Sequence, residues 1–186
     1  MITDHDRSKY FGASDVAYIV GNWSTASFAK WWMVKEGLVS DNFTNDAMLA
    51  GTFWEHRILD SLGLPMTYDR QIIIEPLKLR VNLDGESDGK IFEVKTHRAD
   101  NLFKPPKKYI QQVWVQMFAA ETDEAVIVDY GLRDEEYRNY YLPVDENRIG
   151  ITPVRYNETW VQETFLPRIR YLADCLERGA FPLNTF

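Results

Sequence analysis

A short stretch in the middle of the chain concentrates side chains that can bind a divalent cation. It runs from Asn82 to Lys95 and reads NLDGESDGKIFEVK. Successive side chains of a strand point to opposite faces, so Glu93 and Lys95 lie on one side of their strand. Asp84 ends the alternating segment before them, and a hairpin would bring the three charged groups together. Two carboxylates beside a lysine form a site for a hard cation next to a fixed positive charge, which is the chemistry of phosphodiester cleavage.

The turn between the two strands offers alternative acids. Glu86 and Asp88 lie within it and could also reach a cation. Asp84, however, is the residue at which the alternating strand ends, with Arg80 and Asn82 on the same face. We therefore expect Asp84 to be the metal ligand.

A helix before these strands carries a further acid. Apolar residues recur at helical spacing from Ala47 to Leu62, and Glu55 falls within the apolar stripe. An unpaired carboxylate is costly there. Two interpretations remain open: Glu55 reaches water or an arginine at the edge of the stripe, or it is buried against a metal site.

A helix after the strands presents a polar row. Pro105 and Pro106 are typical of a helix start, and the helix is predicted to continue over Tyr109–Glu121. Tyr109, Gln112 and Gln116 are spaced i, i+3, i+7 and project along one face. This row is either a solvated stripe or, beside a metal site, a face that positions phosphate and water.

The remaining pattern predicts one α/β domain over residues 1–186, with a mixed central β-sheet flanked by α-helices. Ser14 resembles the N-cap of a first short helix that ends at Gly21. The predicted strands are Tyr68–Glu75, Lys78–Leu83, Ile91–Thr96, Ala125–Gly131 and Glu136–Val144; the other helices are Ser27–Gly37 and a last one from Asn157 through Leu176, closed by Gly179 and kinked at Pro167.

Composition limits the classes of function. The net charge of −7, from 28 acidic and 21 basic residues, argues against a general nucleic-acid binder but does not exclude a nuclease, because cations offset the carboxylates of a site. No apolar run approaches the roughly 18 residues of a membrane helix, and the N-terminus lacks a signal-peptide pattern, so no membrane partner and a cytoplasmic location are expected. The single cysteine, Cys175, is predicted to be a buried thiol.

Five segments of the chain, within about residues 7–120, resemble one nuclease family in their joint order. They read FGASDV, GTFWEHRIL, NLDG, FEVKT and YIQQVWVQM. Together they resemble the PD-(D/E)XK nuclease superfamily, and within it the lambda-exonuclease-like, YqaJ-type viral recombinases. Leu83 stands where the superfamily motif nominally has proline. The resemblance implies a restriction-endonuclease-like core and a metal-dependent DNA exonuclease that works 5′-to-3′ on linear double-stranded DNA and leaves 3′ single-stranded tails for phage-type recombination.

The resemblance also implies roles for individual residues. Asp84 and Glu93, with the backbone carbonyl of Val94, would bind Mg²⁺, for which Mn²⁺ can substitute, with two ions at the site. Lys95 would orient the attacking water or help to deprotonate it, and Glu55 would support the metal directly or through water. The supporting set is completed by Gln112 and Tyr109 as catalytic assistants, Gln116 behind them, and Arg7 and Ser14 as ligands of the 5′-phosphate.

The implied partners are double-stranded DNA ends, a single-strand annealing protein and two further copies of the chain in a ring-shaped homotrimer. The implied setting is the cytoplasm of a bacterial host, with phage or prophage origin. Two alternatives stay open: an endonuclease or RecB-like nuclease on the same core, and a non-catalytic module that binds protein or mimics DNA. The complete set of two acids and a lysine argues against the second.

Overall fold

The chain folds into a single β-sheet with helices on both faces. The structure is a computed structural model, and it describes residues 8–40, 45–183 and 186. The helices and strands are α1 (Val16–Ile19), α2 (Ala26–Lys35), α3 (Asp46–Asp60), β1 (Thr67–Ile74), β2 (Leu79–Ser87), β3 (Lys90–Arg98), α4 (Lys107–Ala120), β4 (Glu124–Leu132), β5 (Ile149–Arg155), α5 (Glu158–Trp160) and α6 (Leu166–Arg178).

The sheet follows the order of the chain, β1-β2-β3-β4-β5. Adjacent strands of the sheet are antiparallel except β3 and β4, which are parallel and are joined by the crossover helix α4. Pro153 is tolerated in β5 because that strand lies at the edge of the sheet, where an N–H is not needed on the outer side. The predicted α/β fold with a mixed central sheet is confirmed.

Two apolar clusters cover opposite faces of the sheet. On one face, Trp54 and Ile58 of α3 pack with Phe92 and Val94 of β3. The other cluster contains residues of α4 and α6 together with the buried aromatics that surround Trp32. Alternation along β3 therefore directs Phe92 and Val94 toward α3 and leaves the Glu93 side chain on the α4 side.

The strand predicted over Glu136–Val144 is wrong, since β5 is the strand that pairs with β4. Residues Asp134–Tyr137 form a 3₁₀ turn that buries Glu136, of which 2% is exposed. The Glu136 carboxylate accepts hydrogen bonds from the Arg148 guanidinium at 2.6 and 2.8 Å and from the Tyr130 hydroxyl at 3.0 Å. Satisfying this buried charge requires a turn, and no local alternation of polar and apolar residues signals it.

The end of the chain follows the predicted course. A turn of π-helix at Val161–Phe165 joins α5 to α6, and the helix continues past Pro167, whose missing N–H cannot bond a carbonyl of the preceding turn. Gly179, at a φ of 60°, ends α6 as predicted. Cys175 is buried, which confirms the prediction for the single thiol. Within the described residues, no helix has the length and apolarity needed to cross a membrane.

Replacing Arg148 by methionine should destabilise the fold strongly. The change leaves the buried Glu136 carboxylate without its cation, which costs about 3–5 kcal/mol in comparable sites. Arg178→Met is the matched control, because its ion pair with Asp174 is exposed on both sides and contributes at most about 1 kcal/mol. Urea unfolding of both variants measures the difference; equal losses would show that the buried pair is not a major source of stability.

Candidate active site

The site forms where β2 and β3 separate. Their ladder pairs only Gly85–Ser87 with Lys90–Phe92, although both strands continue beyond these residues. Just past the last pair, Asp84 Oδ2 accepts a hydrogen bond of 2.8 Å from the Val94 backbone N–H. The N–H and C=O of one residue in a strand point to the same side. The Val94 carbonyl therefore also faces the opening, beside the Asp84 carboxylate.

Glu93 is the buried acid of the site, with 2% of its surface exposed. Its Oε1 atom accepts hydrogen bonds from the Lys95 Nζ at 2.6 Å and from the Gln112 amide Nε2. Its Oε2 atom accepts from the Gln116 amide Nε2. Three donors thus hold both carboxylate oxygens in place, which compensates the cost of burying a charge.

Lys95 is held between this acid and an aromatic ring. Its Nζ lies 4.7 Å from the centroid of the Tyr109 ring on α4. Burial acts to lower the pKa of the Lys95 ammonium, but the charges of Glu93 and Asp84 outweigh it and raise the pKa above its ordinary value. In the metal-free protein, Lys95 therefore lies in the site as a cation.

For Glu55 and Asp84, the surroundings favour the neutral, protonated acid over the charged form. Burial, followed by the negative charge of Glu93 and that of Asp69, raises the pKa of Glu55 to about 7. Burial also raises the pKa of Asp84, with Glu93 and Glu55 adding to the effect. Carboxylates that resist ionisation beside one another indicate a site with too little positive charge for its acids. A divalent cation would supply that charge.

These groups surround one cavity of about 260 Å³. Of the predicted residues, the structure brings Ser14, Glu55, Asp84, Glu93, Val94, Lys95 and Gln112 to its wall. Tyr109 and Gln116 stand behind the wall and contact Lys95 and Glu93 respectively. Arg7 lies outside the described residues. The Gln116 Oε1 atom is buried without a hydrogen-bond partner among the described residues.

Arg80 and Asn82 also line the cavity, although the sequence analysis gave them no role. The available signal was the alternation of β2, which places both on the same face as Asp84. The Arg80 guanidinium lies 5.6 Å from the centroid of the Tyr10 ring. The cavity wall therefore contains a second cation besides Lys95.

The loop at the cavity wall around Ser14 is held by a buried ion pair. The prediction that Ser14 caps the first helix is wrong, because Ser14 lies inside a 3₁₀ turn, Ala13–Asp15, and Asp15 is the residue before α1. Asp15 Oδ2 accepts from the Gly12 N–H at 2.8 Å and pairs with Lys35 Nζ at 2.6 Å, while Oδ1 accepts from Trp31 Nε1 at 2.9 Å. The neighbouring aspartate, rather than the serine, therefore provides the local cap, which leaves Ser14 exposed at the cavity.

A second group of ligand-type atoms adjoins the cavity. Glu55, His56 and Asp69 each place one such atom within 4.8 Å of the others, and His56 Nε2 lies 3.2 Å from Asp69 Oδ2. Asp69 adopts a φ of 54° in β1. Sequence reasoning missed this group, because only the fold brings β1 against α3. Glu55 belongs to both sets of acids.

The sequence matches no family model and no curated protein. The fold, however, is similar to solved exonuclease structures. The alkaline exonuclease LHK-Exo from Laribacter hongkongensis gives a TM-score of 0.70 at 22% identity, covering 92% of this chain and 89% of that one. Its complex with dAMP gives 0.70 at 21% identity with the same coverage. A phage-related exonuclease from Haemophilus somnus 129PT gives 0.60 at 12% identity, covering 91% of this chain and 96% of that one. The fold implied by the motif resemblance is thus confirmed.

The metal-free protein should lose stability as the pH rises from about 5 to about 8. Because the pKa of Glu55 is raised to about 7, the folded chain binds more protons than the unfolded chain between the ordinary glutamate pKa and that value. Asp84 acts in the same direction. We expect a loss on the order of 2 kcal/mol, after allowance for solvent screening.

Chemical denaturation in EDTA at the two pH values measures this loss. Glu55→Gln should flatten the pH dependence and stabilise the protein at pH 8. Millimolar Mn²⁺ should restore the stability of the parent protein at pH 8. A stability that rises with pH in EDTA would contradict the charge imbalance.

Proposed function

We propose that this protein is a metal-dependent deoxyribonuclease that degrades linear double-stranded DNA from its 5′ ends. One observation carries the proposal: Asp84, Glu93 and Lys95 converge where β2 and β3 separate, at a cavity that also exposes Glu55. Three acids, two of which resist ionisation, and a lysine ammonium form an arrangement suited to hydrolysis of a phosphodiester.

The residues at the opening fit a hard divalent cation. Asp84, Glu93 and the Val94 carbonyl offer oxygen ligands, which Mg²⁺ and Mn²⁺ prefer, and the raised pKa values of Asp84 and Glu55 indicate missing positive charge. Glu55 would hold a second ion or its water. When bound, such ions activate water as a nucleophile and offset negative charge on the departing 3′-oxygen.

The protein side chains supply orientation and electrostatics. Lys95, a cation in the metal-free protein, would place a positive charge where negative charge builds up on the phosphate oxygens. Gln112 and Gln116 donate hydrogen bonds to the Glu93 carboxylate, so its orientation stays fixed during the reaction. Tyr109 limits the positions open to the Lys95 ammonium.

Recognition of a 5′ end would use the part of the cavity wall that Ser14, Arg80 and Asn82 form. Ser14 lies at the wall with Arg80 and Asn82, which offer a guanidinium and an amide for a terminal phosphate. Arg7 is proposed as a further ligand from the segment before the described residues. The proposed function in phage-type recombination includes three kinds of partner. They are double-stranded DNA ends, a single-strand annealing protein and two further copies of the chain in a homotrimer.

An endonuclease or RecB-like nuclease on the same fold is the alternative. The cleft chemistry would be unchanged, but DNA ends would not be required. A non-catalytic module that binds protein or mimics DNA is the further alternative, and it would not need the intact set of Asp84, Glu93 and Lys95.

Lys95→Ala should lower DNA hydrolysis by about 100- to 1,000-fold, because it removes a preorganised charge from the transition state. Calorimetric titration should show that Mn²⁺ binding persists, since Asp84 and Glu93 remain. Lys90→Ala, at the start of the same strand, is the matched control and should keep full activity. Undiminished hydrolysis by the Lys95 variant would exclude the assigned role.

End dependence is tested with labelled duplexes in Mg²⁺, with EDTA as the blank. We expect nucleotides to be released from 5′-phosphorylated ends faster than from 5′-hydroxyl ends, and covalently closed circles to stay intact. Ser14→Ala should reduce the preference for the phosphate. Cleavage of closed circles would identify an endonuclease, and the absence of both cleavage and Mn²⁺ binding would favour the non-catalytic module.

A further inference from the structure

A second charged pair lies along β3, next to Lys95. His97 Nε2 is 3.2 Å from Asp129 Oδ2 on β4, and His97 Nδ1 is 2.8 Å from the Arg98 carbonyl oxygen. Both ring nitrogens thus face acceptors. A doubly protonated imidazole would donate to both of them, and in that form the ring is a cation held against a carboxylate.

The register of the sheet places this carboxylate beside the candidate catalytic lysine. Asp129 is the residue on β4 that pairs with Lys95 on β3. Neighbouring strands lie about 4.8 Å apart, and paired residues share a face of the sheet. His97, two residues beyond Lys95, shares that face as well. Asp129 is therefore a second acid beside Lys95 on the same face of the sheet, in addition to Glu93.

The fold makes room for the Asp129–His97 pair. Gly150 lies beside Asp129 on β5, and a Cβ there would collide with the Asp129 carboxylate. A Cβ at Gly131 would come within 3.4 Å of the His97 ring. The His97 ring stacks on the Phe103 ring, with the two centroids 5.0 Å apart. The side chains of the pair are only 17% and 13% exposed, so each charge depends strongly on the other.

We propose that His97 is a positioning residue for Lys95. By neutralising Asp129, it prevents that carboxylate from drawing the Lys95 ammonium away from Glu93, which holds it at 2.6 Å. The role in catalysis rests on the proposed nuclease function, whereas the placement of Lys95 does not. The consequence is specific: loss of the His97 cation is harmful only while Asp129 keeps its charge.

Three variants test this dependence. His97→Phe keeps an aromatic ring against Phe103 but removes the cation, and it should lower kcat for linear duplex by at least about tenfold with little change in KM. Asp129→Asn removes the competing charge in a side chain of the same shape and should stay within about threefold of the parent. The double variant should recover to within about threefold of Asp129→Asn.

A purely structural role predicts the opposite order, with the double variant at least as impaired as His97→Phe. That result would overturn the proposal, and so would a strongly impaired Asp129→Asn. Arg98→Gln is the matched control. Arg98 follows His97 in the same strand, and the change breaks its exposed ion pair with Asp134, so kcat should be unchanged. Circular dichroism and thermal unfolding verify that each variant is folded.

A second measurement follows Lys95 without any reaction. The ¹⁵Nζ resonance of Lys95, assigned by its absence in Lys95→Arg, should move in His97→Phe and return in the double variant. An unmoved resonance in His97→Phe would refute the proposal. If the parent protein does not hydrolyse DNA, the proposed function fails, but this measurement still decides whether His97 places Lys95.

Discussion

The buried carboxylate of Glu93 is the constraint on which the rest of the structure depends. Taking an ionised acid out of water is tolerated only when its oxygens are fully hydrogen-bonded. Lys95, two residues along the same strand, provides one donor, and α4 must cross the sheet at a height that presents Gln112 and Gln116. The path of the crossover helix and the orientation of the acid therefore determine each other.

The opening between β2 and β3 converts this anchored acid into a site. Because the ladder stops, Asp84 takes the Val94 N–H that a backbone carbonyl would otherwise receive, and Glu55 approaches from α3. Acids from two layers thus meet around one ammonium, and the pKa values of Glu55 and Asp84 rise as a result. Under the proposed function, stability is given up in this region for the capacity to hold cations, a common trade at functional sites. The overall charge of −7 is compatible with DNA as a substrate, since cations at the site offset its acids.

Distant polar contacts keep α3 in the position that the site requires. Trp54, which precedes Glu55, is fully buried and donates from Nε1 to the Glu136 backbone carbonyl at 3.0 Å. The Glu136 side chain is in turn held by Arg148. On the other side of the cavity, the Asp15–Lys35 pair fixes the loop that carries Ser14. Two buried ion pairs that do not themselves line the cavity thus orient its two walls.

Local periodicity was enough to determine the types of most elements, the common side of Glu93 and Lys95, and the mixed α/β fold, because these follow from side-chain direction along a strand or helix. It could not determine contacts between residues distant in sequence. The turn at Glu136, the closeness of His56 to Asp69 and the pairing of His97 with Asp129 depend on strand register and helix placement. Only the tertiary structure brings such groups together, since a buried charge selects its partner by proximity in space and leaves no repeating pattern in the chain.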